Sequence, residues 1–482
     1  MARETGCPES CRELVRTETS WPLSAADRLV EPIDLSRYGY AEKEYAVKGF
    51  ANVYEWPVGQ EIPSVRTEHA PYATRILVRA PVAAEKFSGV VVVEALNYAS
   101  KYDRSIPGWG HCFDYYLDRG VAWVGVTIHS NAIQALKTFD PGRYGELDFP
   151  NPLPEAERGE SAGSYGKPDK NKENGLRWDM LSQLSALFRS EREDNPFAGL
   201  RVTELLMTGA SGGDVTAYAA GVHPLWELPG GKPVYDGFLV YMTGAPGCIN
   251  QTTPKMTELD PRAKFYSTVP CIHVLTAGDL FGGGFHPDWA FMQRRPNADE
   301  PGKKLAMYEI GGSGVRAGYD KRRANCPEDA EKTGFPWKDS VDYEYEFPVR
   351  YILRAAHEAL IRWVREGVAP PQTPYFETEG EYPDTSFVRD EVGNTKGGIR
   401  TPYVDAPLYL FDEEGGAKRL SPEIIRKLYA SKEDYFQKAA ASTLNALEGG
   451  WILKEDAVKI LAEAAAEELP ELLGRATDRG RT

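Results

Sequence analysis

The chain has 482 residues, of which 42% are apolar and 26% charged, with a formal net charge of −15. A chain of this length buries a sizeable core and has room for more than one domain. The acidic balance argues against nucleic acid or an anionic membrane as the main partner, since both need a basic face. No uninterrupted apolar run approaches a membrane span, and Met1 to Glu18 hold no apolar h-region, so a cytoplasmic protein without a leader is expected. Six cysteines, at 7, 11, 112, 248, 271 and 326, do not make a disulfide framework. Cys7 and Cys11 have a spacing that metal sites use, but no second pair or nearby histidine completes a ligand set, so no metal is expected.

Residues 1–70 read as an irregular, partly β-structured lead-in. Strands then alternate with helices. Thr74 to Val78 reads as a strand, and Val90 to Glu94 is the continuous apolar run of a strand buried on both faces. His111 to Asp118 reads as a helix closed by Arg119-Gly120, and Val121 to Ile128 as another buried strand. Residues 140–177, rich in Pro, Gly and charge without a period, read as an excursion from the core. Trp178 to Ser190 is helical. Leu205 to Thr208, Gly237 to Met242, Cys271 to Thr276 and Leu305 to Ile310 complete the strands. Ile352, Ala356, Leu360, Trp363 and Val364 mark one face of an amphipathic helix over 348–366. Ser421-Pro422-Glu423 opens a C-terminal helical section with a serine N-cap and Pro at N1. The predicted division is 1–70, a core over 71–417 with lids near 140–177 and 281–304, and 418–482.

Alternation of this kind predicts a mostly parallel sheet covered by helices on both faces, an α/β architecture. Its chemistry belongs at the carboxyl ends of the strands, which directs attention to Asn97, Tyr98, His129, Ser211, Thr243, Asp279 and Ser313. Gly209-Ala210-Ser211-Gly212-Gly213 is the most informative of these stretches. It follows an apolar strand and precedes a helix-compatible run from Asp214 to Ala220. That is the strand-turn-helix context of a G-x-S-x-G nucleophile elbow, a strained turn that needs small flanking residues.

Several stretches together resemble a large family of bacterial α/β-hydrolase-domain proteins described as esterases. They are Val93-Glu94-Ala95-Leu96-Asn97, Gly120 to Val126, Arg143-Tyr144-Gly145, Trp178 to Gln183, the elbow, Val234 to Val240, and Gly397 to Asp405. The resemblance covers roughly residues 70 to 468 and implies a Ser-acid-His hydrolase on the α/β-hydrolase fold. The departures fall in the active site. The family's G-x-S-Q-S is Gly209-Ala210-Ser211-Gly212-Gly213 here. Its acid segment T-E-T-D is Thr276-Ala277-Gly278-Asp279. Its histidine segment E-V-A-G-T-S-H is Glu309 to Val315, which places Val315 where histidine is expected. Residues 287–356 contain no histidine.

A serine hydroxyl needs a base within hydrogen-bond reach, and the base needs an orienting partner. Of seven histidines, His69 precedes the core strands, His111 opens a helix, His223 follows the elbow helix, His273 lies within a strand, and His357 lies in the amphipathic helix. His286, in the glycine-rich segment after the acid strand, preserves the order Ser211, Asp279, His286. His129, at a strand end, is the alternative base, and Asp279 is either the orienting acid or a turn cap. The oxyanion hole is expected from the Gly212 N–H and from Asn97 or Tyr98. Tyr98, Tyr102, Asp103, Trp109 and His111 are candidate pocket residues.

The glycines of 282–284 and 311–314 do not match a dinucleotide fingerprint, so no cofactor is expected. The expected activity is hydrolysis of a carboxylic ester or related carbonyl compound, through Ser211 and an atypical base. A non-hydrolytic lyase or isomerase and an inactive ligand-binding homologue remain as alternatives. Tyr144, Phe149, Tyr165, Phe281, Phe285, Trp289 and Phe291 suggest an apolar or aromatic small-molecule substrate.

Overall fold

A computed structural model describes residues 2–98, 101–159, 169–210, 213–242, 247–253, 262, 266–281, 294–314, 326–334, 347–380, 385–412 and 416–472. Its centre is a ten-stranded sheet. In chain order the strands are β1 (Ser10–Glu13), β2 (Tyr40–Glu55), β3 (Ser64–Pro81), β4 (Val90–Ala95), β5 (Ala122–Val126), β6 (Glu204–Ala210), β7 (Gly237–Tyr241), β8 (Cys271–Thr276), β9 (Ala298–Glu300) and β10 (Lys303–Ile310). Across the sheet they run β9-β10-β8-β7-β6-β4-β5-β3-β2-β1. The six strands from β10 to β5 are parallel, with antiparallel strands at both edges.

The parallel centre follows from the apolar runs. Val91, Val93, Leu205, Met207, Phe238 and Val240 face one core cluster. Their neighbours Val90, Val92, Leu206 and Leu239 face the other. Each strand is buried on both sides because helices cover both faces, and its sequence is therefore apolar throughout rather than alternating. The helices include α1 (Trp109–Arg119), α2 (Ser130–Phe139), α3 (Arg177–Phe188), the short α4 (Asp214–Ala217), α5 (Arg350–Glu366), α6 (Lys432–Glu448) and α7 (Lys454–Ala466). On α5, Ile352, Ala356, Leu360 and Trp363 are buried as their spacing predicts. Ser421 caps the helix that starts at Pro422.

The structure departs from the sequence expectation at both ends and in the 140–177 stretch. The lead-in supplies β1 and β2 to the main sheet, and the boundary near residue 70 divides β3. His69 thus lies inside a strand, stacked on Phe50. The first half of the excursion is core. Tyr144, Leu147 and Phe149 are fully buried, and Asp148 bridges to Ala73 of β3. The Arg143 guanidinium donates to the Glu44 carboxylate at 2.5 Å and to the Leu14 carbonyl at 2.6 Å, and the Tyr144 hydroxyl donates to Glu44 at 2.8 Å. Polar residues in this stretch hid a buried ion-pair cluster that ties it to the lead-in. At the other end, the buried Arg354 of α5 pairs with Asp114 of α1 at 2.5 Å and Asp456 of α7 at 2.8 Å, anchoring the C-terminal helices to the core.

Candidate active site at the strand ends

The parallel strands point their carboxyl ends at one edge of the sheet, and β4, β6 and β8 deliver the candidate residues there. Ser211 and Gly212 lie outside the described residues, but the structure describes the turn on both sides of them. At Gly209, a Cβ would stand 2.7 Å from Val215 Cγ2 and 3.2 Å from the Ala95 carbonyl oxygen. Helix α4 crosses strand β6 too closely for any side chain. Gly213 has φ +72°, in the left-handed region, and caps α4. Gly209 is thus required by the close approach of the Val215 side chain and Gly213 by its backbone conformation. Helix α4 passes into a π-helical turn over Tyr218–Val222.

The loop after β4 packs beside this turn. Asn97 is locked in place. Its N–H donates to the Arg104 carbonyl at 2.8 Å, its carbonyl accepts from the Arg104 N–H at 3.0 Å, and its side-chain amide donates to the Ala210 carbonyl at 2.9 Å. The backbone N–H expected as an oxyanion donor is thus committed to another carbonyl, and Asn97 instead holds the residue before Ser211. Among the described residues no acceptor takes the Tyr98 N–H. The Tyr98 ring is buried and stacks on His129, centroids 3.9 Å apart. Burial first, and then the Asp214 charge, hold its hydroxyl well above the usual tyrosine value. Asp214, the first residue of α4, pairs with the buried Arg177 at 2.6 Å. Arg177 also donates to the Asn174 and Cys248 carbonyls at 3.2 and 3.0 Å, and lies over the Trp178 ring.

Glu94, in the strand below, shapes this loop. Its buried carboxylate accepts from the Ser105 hydroxyl at 2.5 Å, the Ile106 N–H at 2.7 Å and the Trp123 indole at 2.8 Å. A side chain at Gly108 would collide with it.

His129 is a helix cap here. Its Nδ1 accepts from the Asn131 N–H at 3.1 Å, so in the neutral ring the proton sits on Nε2. Burial, and then the nearby Arg177 charge, hold its pKa well below the usual histidine value. In that tautomer the acceptor nitrogen is occupied by the cap. Asp279 lies in the helical turn Ala277–Phe281 after β8. Its Oδ2 accepts from the Thr276 N–H at 2.7 Å and the Thr276 hydroxyl at 2.9 Å, and burial raises its pKa to about 6. At the end of β10 the Ser313 hydroxyl is turned inward to the Ile310 carbonyl at 2.9 Å. His286, Thr243 and Val315 lie outside the described residues.

The other pocket candidates are buried. Tyr102 is fully buried and its hydroxyl meets that of Ser24 at 2.9 Å. Asp103 is bonded to the Thr127 hydroxyl. Trp109 packs beneath Arg79, and His111 is buried on α1. Tyr144 and Phe149 are core rather than pocket-lining. Tyr165, Phe285, Trp289 and Phe291 lie outside the described residues, as does the side chain of Phe281. His223 bonds the Tyr235 backbone, and His357 bonds the Leu353 carbonyl and the Tyr116 hydroxyl, each at 2.9–3.1 Å. The residues that sequence reasoning missed are Asp214 and Arg177. A position three residues past the serine was one signal for Asp214, but nothing in the sequence joins it to an arginine 37 positions earlier.

Among the described residues no helix is long and apolar enough to cross a membrane. No curated protein matches the chain. Solved structures that resemble it include a candidate dienelactone hydrolase from Klebsiella pneumoniae, at 14% identity over 60% of this chain and 95% of that one, with a TM-score of 0.29. A glucuronoyl esterase from Solibacter usitatus matches at 9% over 62% and 81%, with a TM-score of 0.26. Candida antarctica lipase A matches at 10% over 50% and 43%, with a TM-score of 0.23. A family model described as an alpha/beta hydrolase domain matches residues 10–462, nearly the whole chain. With the parallel sheet and the glycine-constrained turn after β6, that match places the protein in the alpha/beta hydrolase domain family.

Proposed function

We propose that the protein hydrolyses a carboxylic ester, with Ser211 as nucleophile, Asp279 as orienting acid and His286 as base. The observation that carries this reading is the turn around Ser211. Gly209 has no room for a Cβ and Gly213 has positive φ, the constraints of a turn that lifts a serine clear of the sheet. The Gly212 and Tyr98 N–H groups are the oxyanion donors, Tyr98 being preferred because the Asn97 N–H is already used. His286 is preferred to His129 because the acceptor nitrogen of His129 caps α2. Among the described residues Asp279 accepts from Thr276 through Oδ2, which leaves Oδ1 for the proposed base.

Intact-protein mass spectrometry after incubation with a fluorophosphonate tests this directly. The expected result is one covalent adduct on the wild type, lost in both Ser211→Ala and His286→Ala. An unlabelled wild type overturns the serine reading.

A second reading is favoured by one fact, the lack of any histidine over residues 287–356. On that reading the same oxyanion donors polarise a carbonyl for lyase or isomerase chemistry without a covalent serine step. It predicts turnover that survives Ser211→Ala.

A further inference from the structure

We propose that the groove between the C-terminal helix α7 and the short helix Pro402–Asp405 is a binding site for a small organic cation with an apolar body, such as an aryl-alkyl amine. The inference stands apart from the serine-hydrolase reading, since no residue of the candidate active site lines the groove.

The groove holds a cavity of about 360 Å³. Small-molecule pockets run to about 300–1,000 Å³, so the volume suits a compact ligand. Its walls are packed in their own right. Ala406, Leu408, Tyr435 and Ala464 belong to one buried apolar cluster. The short helix is tied to α6 by the Ser442 hydroxyl, which donates to Asp405 at 2.7 Å. Helix α7 is held to the core by the pair Arg354–Asp456. The walls therefore need little ordering when a ligand arrives.

The lining combines two chemistries, and together they select one kind of ligand. Four aromatic residues, Tyr403, Tyr409, Phe411 and Tyr435, supply apolar surface and rings that attract a cation. Three carboxylates, Glu463, Glu467 and Glu468, supply negative charge, and no lysine or arginine lines the cavity. That charge is only partly balanced from outside. Arg350 stands 3.9 Å from Glu463, and Arg419 is shared between Glu467 at 3.1 Å and Glu471 at 3.0 Å, while Glu468 takes no part in these pairs. Arg419 also displays the recognition in question. Its guanidinium lies over the Tyr409 ring, 5.6 Å from the centroid, while it pairs with Glu467. A ligand ammonium would meet the same ring and carboxylate from within the cavity. A neutral apolar molecule would leave the carboxylates unpaired, and an anion would be repelled.

The test is isothermal titration calorimetry of the full chain with phenethylamine, protonated at neutral pH, and with its neutral isostere 2-phenylethanol. The expected result is one site that takes the amine at least about tenfold more tightly than the alcohol. Ala466→Arg sets a cation at the groove without deleting a packed side chain, because Ala466 is exposed at the end of α7 and lines the cavity. It abolishes amine binding and leaves the melting temperature unchanged. Glu468→Gln lowers amine affinity about threefold, the worth of one exposed ion pair, and leaves the alcohol unaffected. Equal binding of the two probes, or wild-type affinity in Ala466→Arg, overturns the proposal. So does a wild type that binds neither probe. Binding regained in a chain ending at Leu472 would then give the groove to Arg475, Arg479 and Arg481 of the same chain, and binding regained on dilution would give it to a second copy.

Discussion

Two strand ends on the same edge of the sheet are built to different standards. After β6 the residues on either side of Ser211 and Gly212 are constrained, Gly209 by Val215, Gly213 by its left-handed backbone, and Ala210 by the Asn97 amide. After β8 and β10 the polar groups look inward. Asp279 bonds its own strand end through Thr276, and Ser313 bonds the Ile310 carbonyl. On the proposed reading, the difference teaches that the apparatus for stabilising charge on a carbonyl oxygen and the apparatus for moving a proton are separable on this scaffold. The first depends on backbone placement, which the sheet and the Asn97–Ala210 bond supply. The second depends on a side chain that any nearby segment can bring.

The largest expected effect tests that separation. His286→Ala lowers kcat about 100- to 10,000-fold if this residue is the base, while His129→Asn, which keeps an N-capping side chain, leaves kcat within about tenfold. Steady-state kinetics on one ester decides between them, and the reverse ranking reassigns the base. Next in size, Arg177→Met leaves the buried Asp214 carboxylate without its cation and costs about 3–5 kcal/mol in denaturant unfolding. A variant as stable as wild type would break the claim that the elbow side is the braced one. Gly209→Ala drives a methyl into Val215 and costs about 1–3 kcal/mol, read in the same way.

The smallest effect concerns pH. Burial raises the Asp279 pKa to about 6 from an ordinary 3.8. A carboxyl raised on folding contributes stability below its unfolded value and loses that contribution as pH rises through about 6. Asp279→Asn is therefore expected to unfold at higher denaturant than wild type above pH 6 and to match it near pH 4. The fluorophosphonate labelling rate of the wild type should rise through the same interval, as the orienting carboxylate forms. A pH-independent rate would remove Asp279 from the triad.

The fold was largely legible because burial on both faces leaves continuous apolar runs, which mark β4, β6, β7 and β8 to within one or two residues. The long β2 and the start of β3 were not, because an antiparallel strand near the sheet edge alternates with polar residues and is interrupted by Pro and Gly. The stretch from Arg143 to Phe149 misled for a related reason. Its charges, set between Pro141 and Pro150, read as an exposed lid, but Arg143 and Tyr144 are satisfied by Glu44, 99 and 100 residues earlier. A buried ion pair looks like surface until both partners are seen.

The sequence by itself determined the alternating α/β layout and carried Ser211 in a glycine-flanked motif after a strand. Those are local facts, written in apolar periodicity and in residues whose backbone freedom is special. Only the tertiary structure decided that Asn97 spends its N–H on the Arg104 carbonyl, that His129 caps a helix, and that Asp214 pairs with Arg177. Hydrogen-bond supply is finite at each atom, and which partner takes it depends on contacts between residues far apart in the chain, which no local pattern records.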